Sequence, residues 1–406
     1  MRRIQTDQFR VARRGISREI NRQIVLNLVR TKQPVSRADL SRLMNTRRGA
    51  VSLIVNGLIA DGILFEGATG EAPRGRKPKF LYIDSRKRCV VAVDVRPTRT
   101  FVMVTNLLAE PVVGISSFPT LPEPARFVKM LAGRIRNLLA AHRELGECEG
   151  IGLAVPGMVD LTGSRLVFAP RLGWHDVALR DMLARETGLP VQMENSGRAC
   201  ALAQVWDTRG EGATSGDLVF VSVSDGLGVG IVVNGEVMRG RHNAAGEFGH
   251  VSLNTDGPLC ACGASGCWEA YVSNLATLSR YFGRELSPRK PIPAEIASFT
   301  VDDLIARARG GDGKAVAALQ ATAHYLGLGL ASVVNAVDPS RVFLSGEIIA
   351  AWDLLHATVE QAFAQRVLAA ATPPIEITPL FAPDHPRLRG AAALITAPLF
   401  AAPRVG

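Results

Sequence analysis

Residues 246–269 read GEFGHVSLNTDGPLCACGASGCWE and hold four candidate metal ligands in one short loop. The ligands are His250, Cys260, Cys262 and Cys267, with three glycines and one proline between the first and the last. Such a Cys3His set holds Zn²⁺ in structural sites and leaves no open position for water or substrate. The stretch therefore predicts a structural Zn²⁺ cofactor that fixes the loop. The alternative is a set of unligated thiols, or a disulfide beside a core histidine.

The same stretch carries a longer pattern, GExGH followed by CxCGxxGCxE. In this pattern the chain resembles the ROK family, which holds sugar kinases and sugar-responsive transcriptional repressors. The resemblance extends over roughly residues 17–400. It leaves the choice between kinase and repressor open, so the rest of the chain has to decide.

Charge is distributed unevenly along the chain. The 406 residues carry a net charge of +10, but residues 1–90 hold 20 lysines and arginines against 7 acidic residues, so the remainder is nearly neutral. A basic head on a nearly neutral body predicts a polyanionic partner for the head alone. A solvated basic surface without a partner is the alternative.

The head is expected to form a winged helix-turn-helix over residues 17–84. Apolar residues recur at helical spacing from Ser17 to Arg30, and Ser36 with Asp39 forms a capping box that opens a second helix. A third helix ends at Asp61-Gly62. Two predicted strands follow, joined by a basic loop at 73–78, which completes the winged arrangement.

Basic and small polar residues on this head are predicted to bind double-stranded operator DNA. The third helix offers groups suited to base edges or phosphates, and the basic loop suits a narrow A·T-rich minor groove. The predicted contacts are Arg47, Arg48 and Ser52 on the helix and Arg74, Arg76 and Lys77 in the loop. A plain protein-interaction module is the alternative.

Strands and helices alternate after Cys89, which predicts an α/β fold class for the body. The predicted body has two lobes that face a cleft, resembling the ribonuclease-H-like fold of hexokinase and actin. The expected division is a basic N-terminal arm (1–16), the winged head (17–84), lobe 1 (85–206) and lobe 2 (207–406), with the zinc loop in an insertion at 240–314.

The chain departs from the ROK kinases at the residues that serve ATP. Their first strand turns into Asp-x-Gly-Gly-Thr, whose N–H groups meet phosphates, whereas Asp94–Thr98 reads DVRPT and its proline has no N–H. Their catalytic base is the Asp of Glu-Asn-Asp, replaced here by Ser196, and losing a base costs about 10²–10⁴-fold. The adenosine segment reads Ser345-Gly346-Glu347, and only Asp225–Gly230 keeps a phosphate-loop pattern. No catalytic residue is predicted; a ROK sugar kinase is the alternative.

The residues that bind the sugar in the family pattern are better preserved in this chain than those that serve ATP. By resemblance, the residues that bind the effector's hydroxyls are Asn195, Glu247, His250 and Glu269, opposite a wall of Gly157 and Arg171–Trp174. Carboxylates and an amide suit a polyol. His250 would use one ring nitrogen for zinc and the other for a hydroxyl. The alternatives are a sugar phosphate, bound through Arg171 or Arg198, and glutamates that only support the zinc ligands.

These features together predict a sugar-responsive regulator, a repressor of carbohydrate uptake or catabolism genes. Operator symmetry implies a homodimer or a dimer of dimers. Without a long uncharged apolar run or a signal-like N-terminus, no membrane partner and a soluble cytoplasmic location are expected. Cys89, Cys148 and Cys200 are expected to be isolated reduced thiols. A regulator with a protein effector and a vestigial cleft is the remaining alternative.

Overall fold

The computed structural model describes residues 14–69, 77–207, 217–286, 293, 296, 298–368 and 375–400. Two predicted DNA contacts, Arg74 and Arg76, lie outside these ranges, as does most of the predicted N-terminal arm. The described residues form a head and two lobes, and each lobe is built on a five-stranded sheet.

The head contains three helices and a small sheet: α1 Arg14–Lys32, β1 Val35–Ser36, α2 Arg37–Leu43, α3 Arg48–Ala60, β2 Leu64–Thr69 and β3 Lys79–Ile83. The predicted capping box is confirmed, because the Asp39 N–H donates to Ser36 Oγ and the Ser36 N–H donates to the Asp39 carboxylate. The third helix buries Val51, Val55 and Leu58, and the left-handed Gly62 follows it at φ +68°. The antiparallel strands β2 and β3 lie next to these helices.

Lobe 1 places two parallel strands at the centre of its sheet. Its elements are β4 Arg88–Val95, β5 Arg99–Thr105, β6 Pro111–Pro119, α4 Pro124–Ala141, β7 Glu147–Val155, β8 Met158–Val159, β9 Leu166–Ala169, β10 Trp174–Val177, α5 Leu179–Thr187, β11 Val191–Asn195 and α6 Ser196–Asp207. The sheet order is β11-β7-β4-β5-β6, and β8–β10 form a separate small sheet. Strands β4 and β7 are buried on both faces, which explains their continuous apolar runs.

Lobe 2 repeats the five-stranded plan with the order β14-β13-β12-β15-β16. Its elements are β12 Leu218–Val223, β13 Leu227–Val233, β14 Glu236–Val237, α7 Glu269–Val272, α8 Asn274–Phe282, α9 Val301–Arg309, α10 Gly313–Val337, β15 Arg341–Ser345, α11 Trp352–Ala364 and β16 Glu376–Pro379. Within the described ranges, α10 alone is long and apolar enough to cross a membrane, yet 56% of its apolar window is buried in the protein. It packs in the main core of this lobe.

The last helix, α12 (Pro386–Phe400), returns to lobe 1 and packs on β4, β7 and α6. Glycine permits this approach, since a Cβ on Gly152 would lie 1.8 Å from the Ala391 carbonyl oxygen. The predicted division grouped residues 207–406 into lobe 2, so the division needs this correction. Local sequence could not indicate it, because α12 begins 179 positions after the end of α6 and 231 positions after the end of β7.

Two of the three cysteines expected to be isolated are neighbours. Cys89 on β4 and Cys148 on β7 are register partners in the parallel pair. Their interaction and the burial of Cys89 raise the pKa of the Cys89 thiol above its usual range. Cys200 is buried on α6, and burial raises its pKa to about 12. All six cysteines of the chain are free thiols in the structure.

Candidate functional site

The four predicted metal ligands converge. One ligand atom from each of His250, Cys260, Cys262 and Cys267 lies within 4.8 Å of the others. The sulfurs of Cys262 and Cys267 are 3.7 Å apart, and His250 Nδ1 is 3.6 Å from Cys260 Sγ. A tetrahedron with metal–sulfur bonds of about 2.3 Å has edges of about 3.8 Å, so the donors fit one four-coordinate ion. The disulfide alternative is excluded, because a disulfide needs a sulfur–sulfur distance near 2 Å.

The loop that carries these ligands is folded by its own backbone. The Cys260 N–H donates to the Ala264 carbonyl at 2.8 Å, and the Gly266 N–H donates to the Pro258 carbonyl at 2.8 Å. Gly266 has φ +75°, and a Cβ there would lie 1.5 Å from the Asn254 oxygen, so only glycine fits. The loop therefore delivers the cysteines and the following Glu269 to fixed places.

A cavity of about 100 Å³ between the lobes receives all four residues predicted to bind a sugar. Asn195 comes from the end of β11, Glu247 and His250 lie at the start of the metal loop, and Glu269 begins α7. Gly157 and Arg171 line the same cavity, as expected for the opposite wall. Trp174 does not, because it is buried in the lobe 1 core, where its indole donates to the Pro122 carbonyl at 2.7 Å.

The two glutamates of the cavity have different surroundings. Glu269 is fixed, since its Oε2 accepts the Leu227 N–H at 2.9 Å and its Oε1 lies 3.8 Å from Arg171 Nη2. Glu247 engages no hydrogen-bond donor in the part of the chain that the structure describes. Burial raises the pKa of its carboxyl group, and the charges of Arg198 and His250 oppose that rise. Glu247 is thus an available acceptor for a ligand, while Glu269 is already positioned.

Asn195 has a structural role that sequence reasoning missed. Its Oδ1 accepts the Gly197 N–H at 2.9 Å and the Arg198 N–H at 3.3 Å, which caps α6, and its Nδ2 donates to the Gly157 carbonyl at 2.9 Å. One amide hydrogen remains for a ligand. Arg198 is buried, its Nε donates to Glu194 at 2.8 Å, and it is not among the residues that line this cavity.

The nucleotide side of the cleft is bridged by an arginine. Arg96 Nε donates to Asp94 at 2.7 Å in lobe 1, and its Nη1 donates to Glu347 at 2.8 Å in lobe 2. Burial alone would lower the pKa of Arg96, but the carboxylates of Asp94 and Glu347 outweigh it and raise the pKa. A cavity of about 470 Å³ is lined by these three residues and by Ser345 and Gly346. A charged side chain therefore stands where the kinase pattern has a glycine turn.

The glycine-rich segment Asp225–Gly230 has packing reasons for its glycines. A Cβ on Gly230 would lie 2.3 Å from the Gly197 oxygen at the start of α6, and one on Gly226 would lie 2.8 Å from Glu269. The Leu227 N–H of this segment is used by Glu269. The resemblance to a phosphate loop therefore does not require a phosphate.

Three of the four predicted DNA contacts within the described ranges share a groove of the head. Arg48, Ser52 and Lys77 line one groove of about 460 Å³. Arg47 is exposed at the N-cap of α3. Sequence reasoning missed Arg37, which lines the same groove and donates to Glu66 at 3.0 Å and to Asn56 Oδ1 at 2.8 Å.

Helix α6 connects the cavity with the head. It begins at Ser196, which lines the cavity, and the carbonyl of Trp206 at its other end accepts from Arg30 Nη1 of α1 at 3.0 Å. The Arg30 guanidinium lies 4.2 Å from the Trp206 ring, within range of a cation–π contact. Phe400 of α12 packs edge-on against the same indole.

Comparison with known proteins gives consistent matches over the body and the head. The family described as "ROK family" matches residues 117–397. The xylose repressor of Bacillus subtilis strain 168 is 27% identical over 370 residues, which cover 91% of this chain and 93% of that protein. A crystal structure described as a ROK family transcriptional regulator, a homolog of the E. coli MLC protein, has a TM-score of 0.78 at 26% identity and covers 95% of this chain and 97% of its own.

A kinase is also similar, over a smaller part of the chain. The crystal structure of a ROK family glucokinase from Streptomyces griseus with glucose and AMPPNP has a TM-score of 0.62 at 25% identity. It covers 75% of this chain and 98% of its own. The match therefore includes nearly the whole kinase, but about a quarter of this chain has no counterpart in it.

Proposed function

The chain belongs to the ROK family, and from that membership we propose that it is a sugar-responsive, DNA-binding repressor of carbohydrate uptake or catabolism genes. The observation that carries the proposal is one chain that combines a basic head with a cleft. The cavity of this cleft is lined by all four predicted sugar ligands, and its nucleotide side is bridged by Arg96. A ROK sugar kinase is the second candidate, favoured by the match of the body to the glucokinase.

In this proposal the head is a winged helix-turn-helix that binds operator DNA. Support comes from the order of helices and strands, from the groove lined by Arg48, Ser52 and Lys77, and from the net positive charge of the first 90 residues. Arg47 contributes from the N-terminal end of α3, and Arg74 and Arg76 of the predicted wing remain part of the proposal. A homodimer in the cytoplasm would present two heads to a palindromic operator.

The cleft binds the effector sugar through Asn195, Glu247, His250 and Glu269. Hydroxyl groups would donate to the Glu247 carboxylate and accept from the remaining Asn195 amide hydrogen. Structural Zn²⁺ at His250, Cys260, Cys262 and Cys267 would supply a fixed anchor for the loop. Xylose is the first sugar to test, because a relative matched over nearly its whole length is a xylose repressor.

Phosphoryl transfer is not part of the proposed function. Ser196 stands where the kinases have the aspartate base, and a hydroxyl cannot take the sugar's proton at neutral pH. In the kinases, the turn that corresponds to Asp94–Thr98 would offer N–H groups to phosphates. Here that turn carries Arg96, which is ion-paired with Asp94 and with Glu347 of lobe 2.

The sugar acts by selecting one of two arrangements of cleft and head. It shifts the equilibrium only by its difference in affinity for the two, and a coupling of 1–3 kcal/mol changes operator affinity about 5- to 150-fold. Helix α6 is the direct connection, because Asn195 caps it in the cavity and Trp206 at its far end contacts Arg30.

Arg30→Gln is expected to reduce the sugar response while leaving operator binding without sugar within about twofold of the parent. The substitution removes the cation–π contact to Trp206 and weakens the donor to its carbonyl, so a shift of α6 no longer moves α1. Fluorescence anisotropy of a labelled operator with and without sugar measures both quantities. Arg22→Gln is the matched control, since Arg22 lies on the same helix but pairs with Asp61 inside the head. An unchanged sugar response in Arg30→Gln contradicts the proposed connection.

The proposed function is tested by selecting duplexes from a random pool with the full-length zinc-loaded chain and then adding single sugars. A preferred duplex and its release by one aldose, xylose tested first, are expected. A chain that selects no duplex, or whose selected duplex ignores every sugar of the panel, refutes the proposal.

A further inference from the structure

The solvent face of α3 is apolar at its middle. Leu53 is 65% exposed, while Val51, Val55 and Leu58 on the opposite face of the helix are fully buried. The neighbouring Gly49 and Ala50 are exposed and small, so nothing on this helix covers Leu53. The large apolar side chain of Leu53 is thus exposed to water, whereas the other large apolar residues named on this helix are fully buried.

Asn56 lies one turn after Leu53 on the same face, and its oxygen is already engaged. Arg37 Nη1 donates to Asn56 Oδ1 at 2.8 Å, and Arg37 is itself held by Glu66 through two bonds of 3.0 and 2.9 Å. Because an arginine only donates, the amide oxygen must face it. Asn56 therefore turns its two N–H donors to the outside, while its oxygen faces Arg37.

Basic residues lie near this face at the start of the helix. Arg47 and Arg48 are exposed at the start of α3, and Arg48 lines one groove together with Lys77. An exposed apolar side chain on a helix that begins with two cations suits the major groove of a duplex, where phosphates border the base edges. Duplex DNA, the partner in the proposed function, is the occupant that suits this face. The inference that follows rests on that proposed function.

We propose that α3 reads a thymine, with Leu53 against the 5-methyl group and the Asn56 amide donating to O4. Thymine is the base that shows a methyl group beside an acceptor at its major-groove edge. Adenine is disfavoured, because its bidentate partner needs both the oxygen and the nitrogen of the asparagine amide, and Arg37 holds the oxygen. Residues three apart on a helix are close enough for both to contact one base or two adjacent ones.

The test replaces thymine by deoxyuridine, which lacks only the methyl group, at each position in turn of the duplex selected by the full-length chain. At one position in each half-site the unaltered chain is expected to bind about fourfold more weakly after removal of the methyl. Leu53→Ala is expected to bind thymine and deoxyuridine duplexes equally. Asn56→Ala is expected to bind more weakly overall while keeping the methyl preference.

Leu43→Ala is the matched control, because Leu43 is 49% exposed at the end of α2 and lies off α3. It is expected to keep the fourfold preference for thymine. The inference is overturned if no thymine matters, or if Leu53→Ala still distinguishes the two bases as the unaltered chain does. A chain that selects no duplex at all overturns the proposed function and this inference with it, so the two failures are distinguishable.

Discussion

Replacing Cys267 by serine is expected to remove the metal and to lower the free energy of unfolding of lobe 2 by more than about 4 kcal/mol. Cys267 supplies one of four donors, and its Sγ lies 3.7 Å from that of Cys262. Without the ion, the remaining ligands lose their common partner, and the backbone hydrogen bonds of the loop are no longer reinforced by a metal cross-link. Glu269, two residues further on, then loses its fixed position at the Leu227 N–H.

The measurement combines zinc content by elemental mass spectrometry with urea denaturation. Close to one zinc per chain is expected for the unaltered protein and close to none for Cys267→Ser. Cys148→Ser is the control, since Cys148 lies on β7 away from the metal cluster, and it should retain the zinc. A Cys267→Ser chain that keeps both its zinc and its stability would contradict a four-ligand structural site.

Glu247→Gln is expected to weaken binding of the effector sugar by about 10- to 100-fold. Glu247 is a cavity carboxylate without a donor among the described residues, so its hydrogen bonds are available to the ligand. A hydrogen bond to a charged group is worth about 1.5–3 kcal/mol, and glutamine of equal size keeps the shape while it loses the charge. Stability should change little, because Glu247 accepts no hydrogen bond from any residue that the structure describes.

Isothermal titration with the sugar that releases the operator gives the two affinities. Glu236→Gln is the control, because Glu236 is exposed on β14 outside the cavity. If Glu247→Gln binds the sugar as tightly as the unaltered chain, Glu247 supports the metal loop without touching the ligand, and the proposed sugar site is wrong.

Short sequence patterns correctly predicted the features that depend on residues close together in the chain. The cysteine and histidine spacing indicated the metal cluster, and Ser36 with Asp39 indicated the start of α2. Both depend on groups within about twenty residues of each other, so a short stretch of sequence contains the whole signal. The family pattern likewise named four residues that the structure brings to one cavity.

Long-range partners could not be predicted in the same way. The ion pair of Arg96 joins residues 251 positions apart, and the return of α12 to lobe 1 joins residues 386–400 to strands β4 and β7, which end at residues 95 and 155. Nothing in the short motif DVRPT shows that its arginine bridges the lobes. The pairing of Cys89 with Cys148 depends in the same way on strand order.

A polar side chain that has both a structural and a binding role, such as Asn195, could not be recognised from nearby sequence either. Asn195 was expected to bind the sugar, yet its oxygen caps α6 and connects the cavity wall with the helix that reaches the head. The exposure of Leu53 was hidden as well, because the helical apolar pattern in sequence does not show which leucines the other elements leave uncovered.

The most direct test of a cleft that senses a sugar without phosphorylating it is one calorimetric titration of the zinc-loaded chain with that sugar in the presence of ATP and Mg²⁺. We predict a saturable heat corresponding to one site per chain and a return to baseline after every injection. A steady heat flow that scales with protein concentration and continues until the sugar is consumed would show turnover and contradict the account.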